Sequence, residues 1–106
     1  MIARVWRGWT TPENADQYEE LLRSIIILRI ESLQVPGYRG IEVLRRQEGD
    51  EVAFVTVMHF KSLESVKVFA GDDYKQAWIP SEAKRLLKRY DETARHYEIV
   101  QATRFE

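Results

Sequence analysis

The residues of this chain that suit chemistry are few. The two histidines come first, because imidazole titrates near neutral pH and serves as general acid, general base or metal ligand. His59 ends a strand-like run in the stretch MHFKSLESVKVFAG, Met58 to Gly71, just before a helix start. It has the parity of Val55 and Val57, so it is expected to face the helix side and to serve structure, donating to a backbone carbonyl around Ser62; a bulge would instead turn it inward. His96 stands in the closing stretch HYEIV, on a face of mixed polarity with Arg4, Trp6 and Thr56, and there a functional role and a plain contact between subunits both fit. Two histidines so far apart, without a motif such as HExxH, make no metal site. The absence of cysteine removes disulfides, thiolate metal sites and cysteine nucleophiles together. No phosphate-binding glycine loop, GxSxG elbow or dinucleotide fingerprint is present, so no cofactor is expected.

The elements that position these residues follow from punctuation. Ile2 to Thr10 is rich in β-branched and aromatic residues and reads as a strand. TTPEN follows, with Thr11 as cap and Pro12 at the first helical position. Tyr18, Leu21, Leu22, Ile25, Ile26, Leu28, Arg29 and Leu33 then recur at helical spacing until VPGY, which predicts a helix over 12–34. Arg39 to Gln47 and Glu51 to Phe60 read as strands joined by the turn EGD, hence a hairpin. Ser62 caps a second helix that stops at Gly71. DDYKQAWIP is irregular, Pro80 to Tyr90 reads as a short helix whose basic run KRLLKRY is a solvated face, and Glu92 to Ala102 reads as the last strand. The order β-α-β-β-α-β is the split βαβ, or ferredoxin-like, arrangement: an α+β class fold with an antiparallel four-stranded sheet, in one domain spanning 1–106.

Both faces of that sheet are apolar. In the third strand Val52, Phe54, Thr56, Met58 and Phe60 alternate with Ala53, Val55, Val57 and His59. Two helices cover only one face. At ~25 cal/mol per Å², a few hundred Å² of exposed apolar sheet forfeits several kcal/mol, comparable with the whole stability of a small domain. A homodimer packed through the open sheet face is therefore expected. The parity of Tyr97 and Ile99 in the last strand suits helix cover, which assigns Ile2, Arg4, Trp6, Thr56, Met58, Phe60, His96 and Val100 to the face away from the helices. Large aromatics beside an arginine, a histidine and a threonine suit an enclosed cavity. Arg4 is then either a pocket cation or the partner of a carboxylate across the dimer, Trp6 either packs or lines, and Tyr74 and Trp78 either roof the pocket or anchor their loop.

Sixteen basic and seventeen acidic residues leave a net charge of −1, which points neither to nucleic acid nor to an anionic membrane. No window approaches the ~18 apolar residues of a membrane span, and MIARVWRG lacks the apolar core of a signal peptide, so a cytoplasmic location is the default expectation. The RNA-recognition motif shares the element order, and VAFVTVMHF loosely matches its third-strand signature. The basic and glycine-aromatic part of that signature is missing, however, and GDEVA at 49–53 brings acids where phosphate would lie.

The opening MIARVWRGWT, the segment PGYRG, the passage FKSLESVKVFAGDDY and the closing HYEIV together resemble the antibiotic biosynthesis monooxygenase-like family. The resemblance covers nearly the whole chain. It implies a dimeric α+β barrel of ferredoxin-like subunits, with a pocket between sheet and helices in which a small electron-rich aromatic or quinol is oxidised by O₂ without flavin or metal. By the same resemblance His96 and Arg4 are the expected catalytic residues, deprotonating the substrate and holding its oxyanion. Trp6, Thr56, Met58, Phe60, Tyr74 and Trp78 are the expected substrate-binding residues. Two departures bear on function. Phe60 stands where family members often place tryptophan. The asparagine and histidine of the haem-degrading branch also have no counterpart, since the only asparagine is Asn14 and no histidine lies between His59 and His96. The alternative is a non-catalytic dimer of the same fold that binds a small apolar ligand, or a stress-related protein.

Overall fold

The computed structural model describes residues 1–105. Strand β1, Ile2–Thr10, leads into a helix at the expected place: the Thr11 hydroxyl accepts from the Asn14 amide and Pro12 occupies the first turn. The helical run continues through α1 (Pro12–Leu21), a single wide π turn (Leu22–Ile26) and α2 (Ile27–Ser32). The wide turn has a physical role. Tyr18, Leu22, Ile26 and Ile30 are all buried and follow one another at intervals of four. In a regular α-helix each such step drifts about 40° around the axis, and one wide turn takes up the drift so that the four stay on the sheet.

The hairpin is as expected. Strand β2, Tyr38–Glu48, pairs antiparallel with β3, Glu51–Phe60, around a turn in which Gly49 takes φ +62°. Ser62 caps α3, Leu63–Ala70, by accepting from the Ser65 amide, and Gly71 ends it at φ +87°.

The last third departs from expectation. The helix foreseen over 80–90 is only α4, Ser81–Lys84; Leu87–Tyr90 is strand β4, paired with Gly8–Thr10 of β1. The final strand foreseen over 92–102 is β5, Arg95–Glu98, paired with Ile2–Val5. Together β4 and β5 are one edge strand interrupted by an outward excursion at 91–94. The free edge of β1 decides the matter. Once β5 has covered its first half, the remaining amides and carbonyls at Gly8–Thr10 recruit KRY, overriding its helical pattern. The sheet order is β2-β3-β1-β4, with β5 also on β1. No helix among the described residues is long and apolar enough to cross a membrane.

The helices cover the face that carries Ile2, Arg4, Trp6, Phe54, Thr56, Met58 and Phe60, and the core forms there with Tyr18, Leu22, Ile26, Ile30 and Val66. This reverses the face assignment made from parity. Ile2, Arg4, Trp6, Thr56, Met58, Phe60 and His96 lie under the helices, while Val100 lies beyond β5 and is exposed. The reason is volume rather than polarity. The space between layers needs Phe54, Met58 and Phe60, whereas the other face carries Ala3, Val5, Ala53, Val55 and Val57. Tyr97, whose bulk guided the assignment, is on an edge strand and stays half-exposed. His59 is on the open face, where its Nε2 lies 2.9 Å from Glu42 Oε1; it neither faces the helices nor bonds near Ser62.

Candidate functional site

Between the sheet and the helical run lies a cavity of about 60 Å³. Its floor is Arg4, Trp6, Thr56 and Met58. Tyr18, Leu22, Ile26 and Ile30 form one wall, and Phe69 and the segment from Ala77 to Pro80 close the other. No aspartate, glutamate or histidine among the described residues lines it.

Trp6 reaches the floor because of its neighbour. A Cβ on Gly8 would sit 2.6 Å from Trp6 Cη2 and 2.9 Å from Leu87 Cδ2, so only glycine lets the indole lie along the strand. The indole N–H donates to the Asp91 carbonyl at 2.7 Å, which leaves the ring surface, not the N–H, for a ligand.

Arg4 is the unusual residue. It is only 4 % exposed, and among the described residues no carboxylate pairs with it. Its guanidinium donates to the Tyr74 carbonyl at 2.6 Å and to the Gln76 carbonyl at 3.1 Å, and lies 3.0 Å from His96 Nε2. Burial alone pulls its pKa down to about 10, and it stays charged at neutral pH. These contacts tie down the segment that leads into the wall at Ala77. The same segment is also held to the excursion of the edge strand, with the Ala77 amide donating to the Glu92 carbonyl and the Ala94 amide to the Lys75 carbonyl.

His96 stands behind Arg4 rather than in the cavity. Because arginine only donates, Nε2 must accept, which places the ring proton on Nδ1. Burial, then the Arg4 charge and the Lys75 charge, hold the His96 pKa below the ordinary histidine value. Its ring meets that of Tyr74 edge-on at 5.1 Å, and both border a separate surface depression with Ala94 and Tyr97.

Of the residues singled out in the sequence, Arg4, Trp6, Thr56, Met58 and Trp78 meet at the cavity. His96 and Tyr74 do not reach it, and Tyr74 contributes a backbone carbonyl rather than a roof. Phe60 is fully buried between Tyr38 and Phe69, in the core. Sequence reasoning missed Tyr18, which is 1 % exposed and borders the cavity. Its signal was present: a tyrosine heading the buried stripe of the first helix.

Known structures share this architecture. A Bacillus cereus protein of antibiotic biosynthesis monooxygenase type superposes with a TM-score of 0.70 at 12 % identity, covering 100 % of this chain and 97 % of its own. The haem degrader MhuD of Mycobacterium tuberculosis, with two haems bound, gives 0.62 at 18 %, covering 97 % and 99 %. The ActVA-Orf6 monooxygenase of Streptomyces coelicolor, in complex with nanaomycin D, gives 0.61 at 17 %, covering 99 % and 92 %. At such identities the likeness establishes the ferredoxin-like α+β fold. No curated protein matches in sequence. The family model for antibiotic biosynthesis monooxygenase matches residues 1–81, three-quarters of the length, and the chain belongs to that family.

Proposed function

We propose that the protein is a cofactor-independent monooxygenase that oxidises a small electron-rich aromatic or quinol in the cavity between sheet and helices. The observation that carries this reading is the Arg4 guanidinium, buried at the floor of a mostly apolar cavity with no carboxylate of the described residues beside it. A phenol or enol that ionises next to it supplies the missing negative charge. Ionisation raises electron density at the ring carbon para to the oxygen, where O₂ reacts. In the balanced step an anthrone-type CH₂ becomes C=O: one oxygen atom bonds to that carbon, and the other leaves as water with both hydrogens. The substrate supplies all four electrons. Arg4 is the catalytic residue in this reading, and His96 is a positioning residue that holds the guanidinium from behind.

The cavity, about 60 Å³, is well below the ~300 Å³ at which drug-sized ligands begin to be accommodated, so a bound ring displaces a wall. Trp78, 48 % exposed, is the wall that can yield. A second copy of the chain covers the open sheet face, across Val5, Val55, Val57, Leu44 and Tyr97; light scattering on a size-exclusion column checks this, a monomer at micromolar concentration counting against it.

The absence of a carboxylate or histidine from the cavity lining, among the described residues, favours a second reading, non-catalytic binding of a small apolar ligand. Oxygen uptake separates the two. An anthrone or reduced quinol is mixed anaerobically with wild type, Arg4→Met or His96→Ala, and then exposed to air. The oxygenase reading expects both variants to lose rate while the oligomer persists. Equal rates in all three, at the uncatalysed background, remove it.

A further inference from the structure

We infer that the surface depression beside β5 is a second binding site, apart from the cavity, and that it takes a small aromatic carboxylate. The depression measures about 550 Å³, within the range of small-ligand sites. Its apolar side is Ile2, Leu63 and the Tyr74 ring, and its polar side is Lys75, Arg95 and His96. His96 supplies the directional contact. Its Nε2 is taken by the Arg4 guanidinium at 3.0 Å, so the proton is fixed on Nδ1, which makes no hydrogen bond to any described residue. Nor is Nδ1 sealed in the interior, since among the described residues the one buried side-chain polar atom without a partner is Thr10 Oγ1. The free N–H therefore reaches open space, and the open space that His96 borders is the depression.

Charge decides which acceptor that N–H receives. Lys75 and Arg95 are exposed, and neither pairs with a carboxylate of the described residues. Lys67 Nζ stands 5.6 Å from the Tyr74 ring centroid, and the buried Arg4 charge lies directly behind His96. The Lys75 ammonium is close enough to the imidazole to help hold its pKa down, after burial and Arg4. Glu98 is the single acid in the lining among the described residues, so the local field favours an anion. A carboxylate accepts from Nδ1–H and faces Lys75 and Arg95 at once, and a ring attached to it lies against Leu63 and Tyr74.

Benzoate tests this against benzyl alcohol, which keeps the ring without the charge, and acetate, which keeps the charge without the ring. Each is titrated at neutral pH into the labelled full chain, followed by NMR, and benzoate also into a Lys75→Gln, Arg95→Gln double variant, which alters exposed side chains only. Benzoate is expected to bind with a Kd of about 1 mM and both controls at least ~10-fold more weakly. Its shifts should centre on Tyr74, Ala94 and His96, the His96 pKa should rise on saturation, and the double variant should weaken it about tenfold. Equal affinity in the double variant, or for benzyl alcohol and benzoate, overturns the site. So does the lack of saturation at roughly ten times the expected Kd. Shifts at Trp6, Thr56 and Met58 with none at His96 overturn it as well, and would put the anion in the cavity, leaving the proposed function standing.

Discussion

Arg4 and Arg7 belong to the same strand and point to opposite faces of the sheet, and the fold treats them in opposite ways. On the open face the charges around Trp9 and His59 are paired. Arg7 makes two hydrogen bonds to the Asp91 carboxylate, at 2.8 and 3.2 Å; Arg89 does the same with Glu51, at 3.1 and 2.9 Å; His59 meets Glu42. Trp9 is enclosed between the two guanidiniums, 3.8 Å from Arg89 and 5.2 Å from Arg7, and its N–H reaches Glu48. On the helix side Arg4 has two carbonyls, a histidine and the Phe69 ring, and among the described residues no carboxylate. A cation that must be buried is normally paired, since its desolvation is otherwise uncompensated. Under the proposed function, the open face is the surface a second copy covers, and the helix side is the site that receives an anion.

The largest effect expected from this contrast is on assembly. Val57→Asp places an unpaired carboxylate at the centre of the open face in each copy. Burial without a partner costs on the order of 3–5 kcal/mol, so dimer affinity should fall at least ~100-fold, read by sedimentation or light scattering across concentration. Arg4→Met should come next, with oxygen uptake reduced by about 10²–10³ and assembly unaltered, as for loss of an oxyanion-stabilising donor. Gly8→Ala forces a methyl into the Trp6 indole and should cost about 1–3 kcal/mol in denaturant unfolding, with Trp6 displaced from the cavity floor. The smallest effect should come from Arg7→Ala, since the Arg7 side chain is 40 % exposed; a loss of ~1 kcal/mol or less is expected.

The pH dependence sharpens the same contrast. The folded pKa of His96 is lowered, chiefly by burial and then by Arg4 and Lys75, so at acidic pH the unfolded chain binds a proton that the folded chain resists. The stability from this group is complete above the ordinary histidine value and is lost as pH falls through the lowered one. The lowered carboxylates of Glu19, Glu51 and Glu82 fail only at more acidic pH. Urea midpoints measured between about pH 6.5 and 4.5 should decline for wild type and decline less for His96→Gln.

What the sequence made legible was local. The Thr11 and Ser62 caps, the Gly49 turn and the Gly71 stop each depend on neighbours a few residues away, so they place β1, the first helix, the hairpin and α3 close to where they lie. Leu87–Tyr90 was illegible because its own pattern is helical and only the unpaired edge of β1 makes it a strand. The face assignment failed for a related reason: parity groups residues correctly, but which group goes under the helices is settled by interlayer volume. Arg4 was singled out as a charge among aromatics. That its partners are the carbonyls of Tyr74 and Gln76 carries no sequence signal, because any residue type has a carbonyl.

The central claim is that the Arg4 side of the sheet receives an anion formed from a phenol, and the most direct measurement is the ionisation of a bound phenol. Titrating 4-nitrophenol with saturating protein and following the absorbance of the phenolate gives its pKa in the site. The account predicts that the bound phenol ionises at lower pH than the free one and that Arg4→Met abolishes the shift. A bound pKa equal to or above the free value in wild type would contradict it.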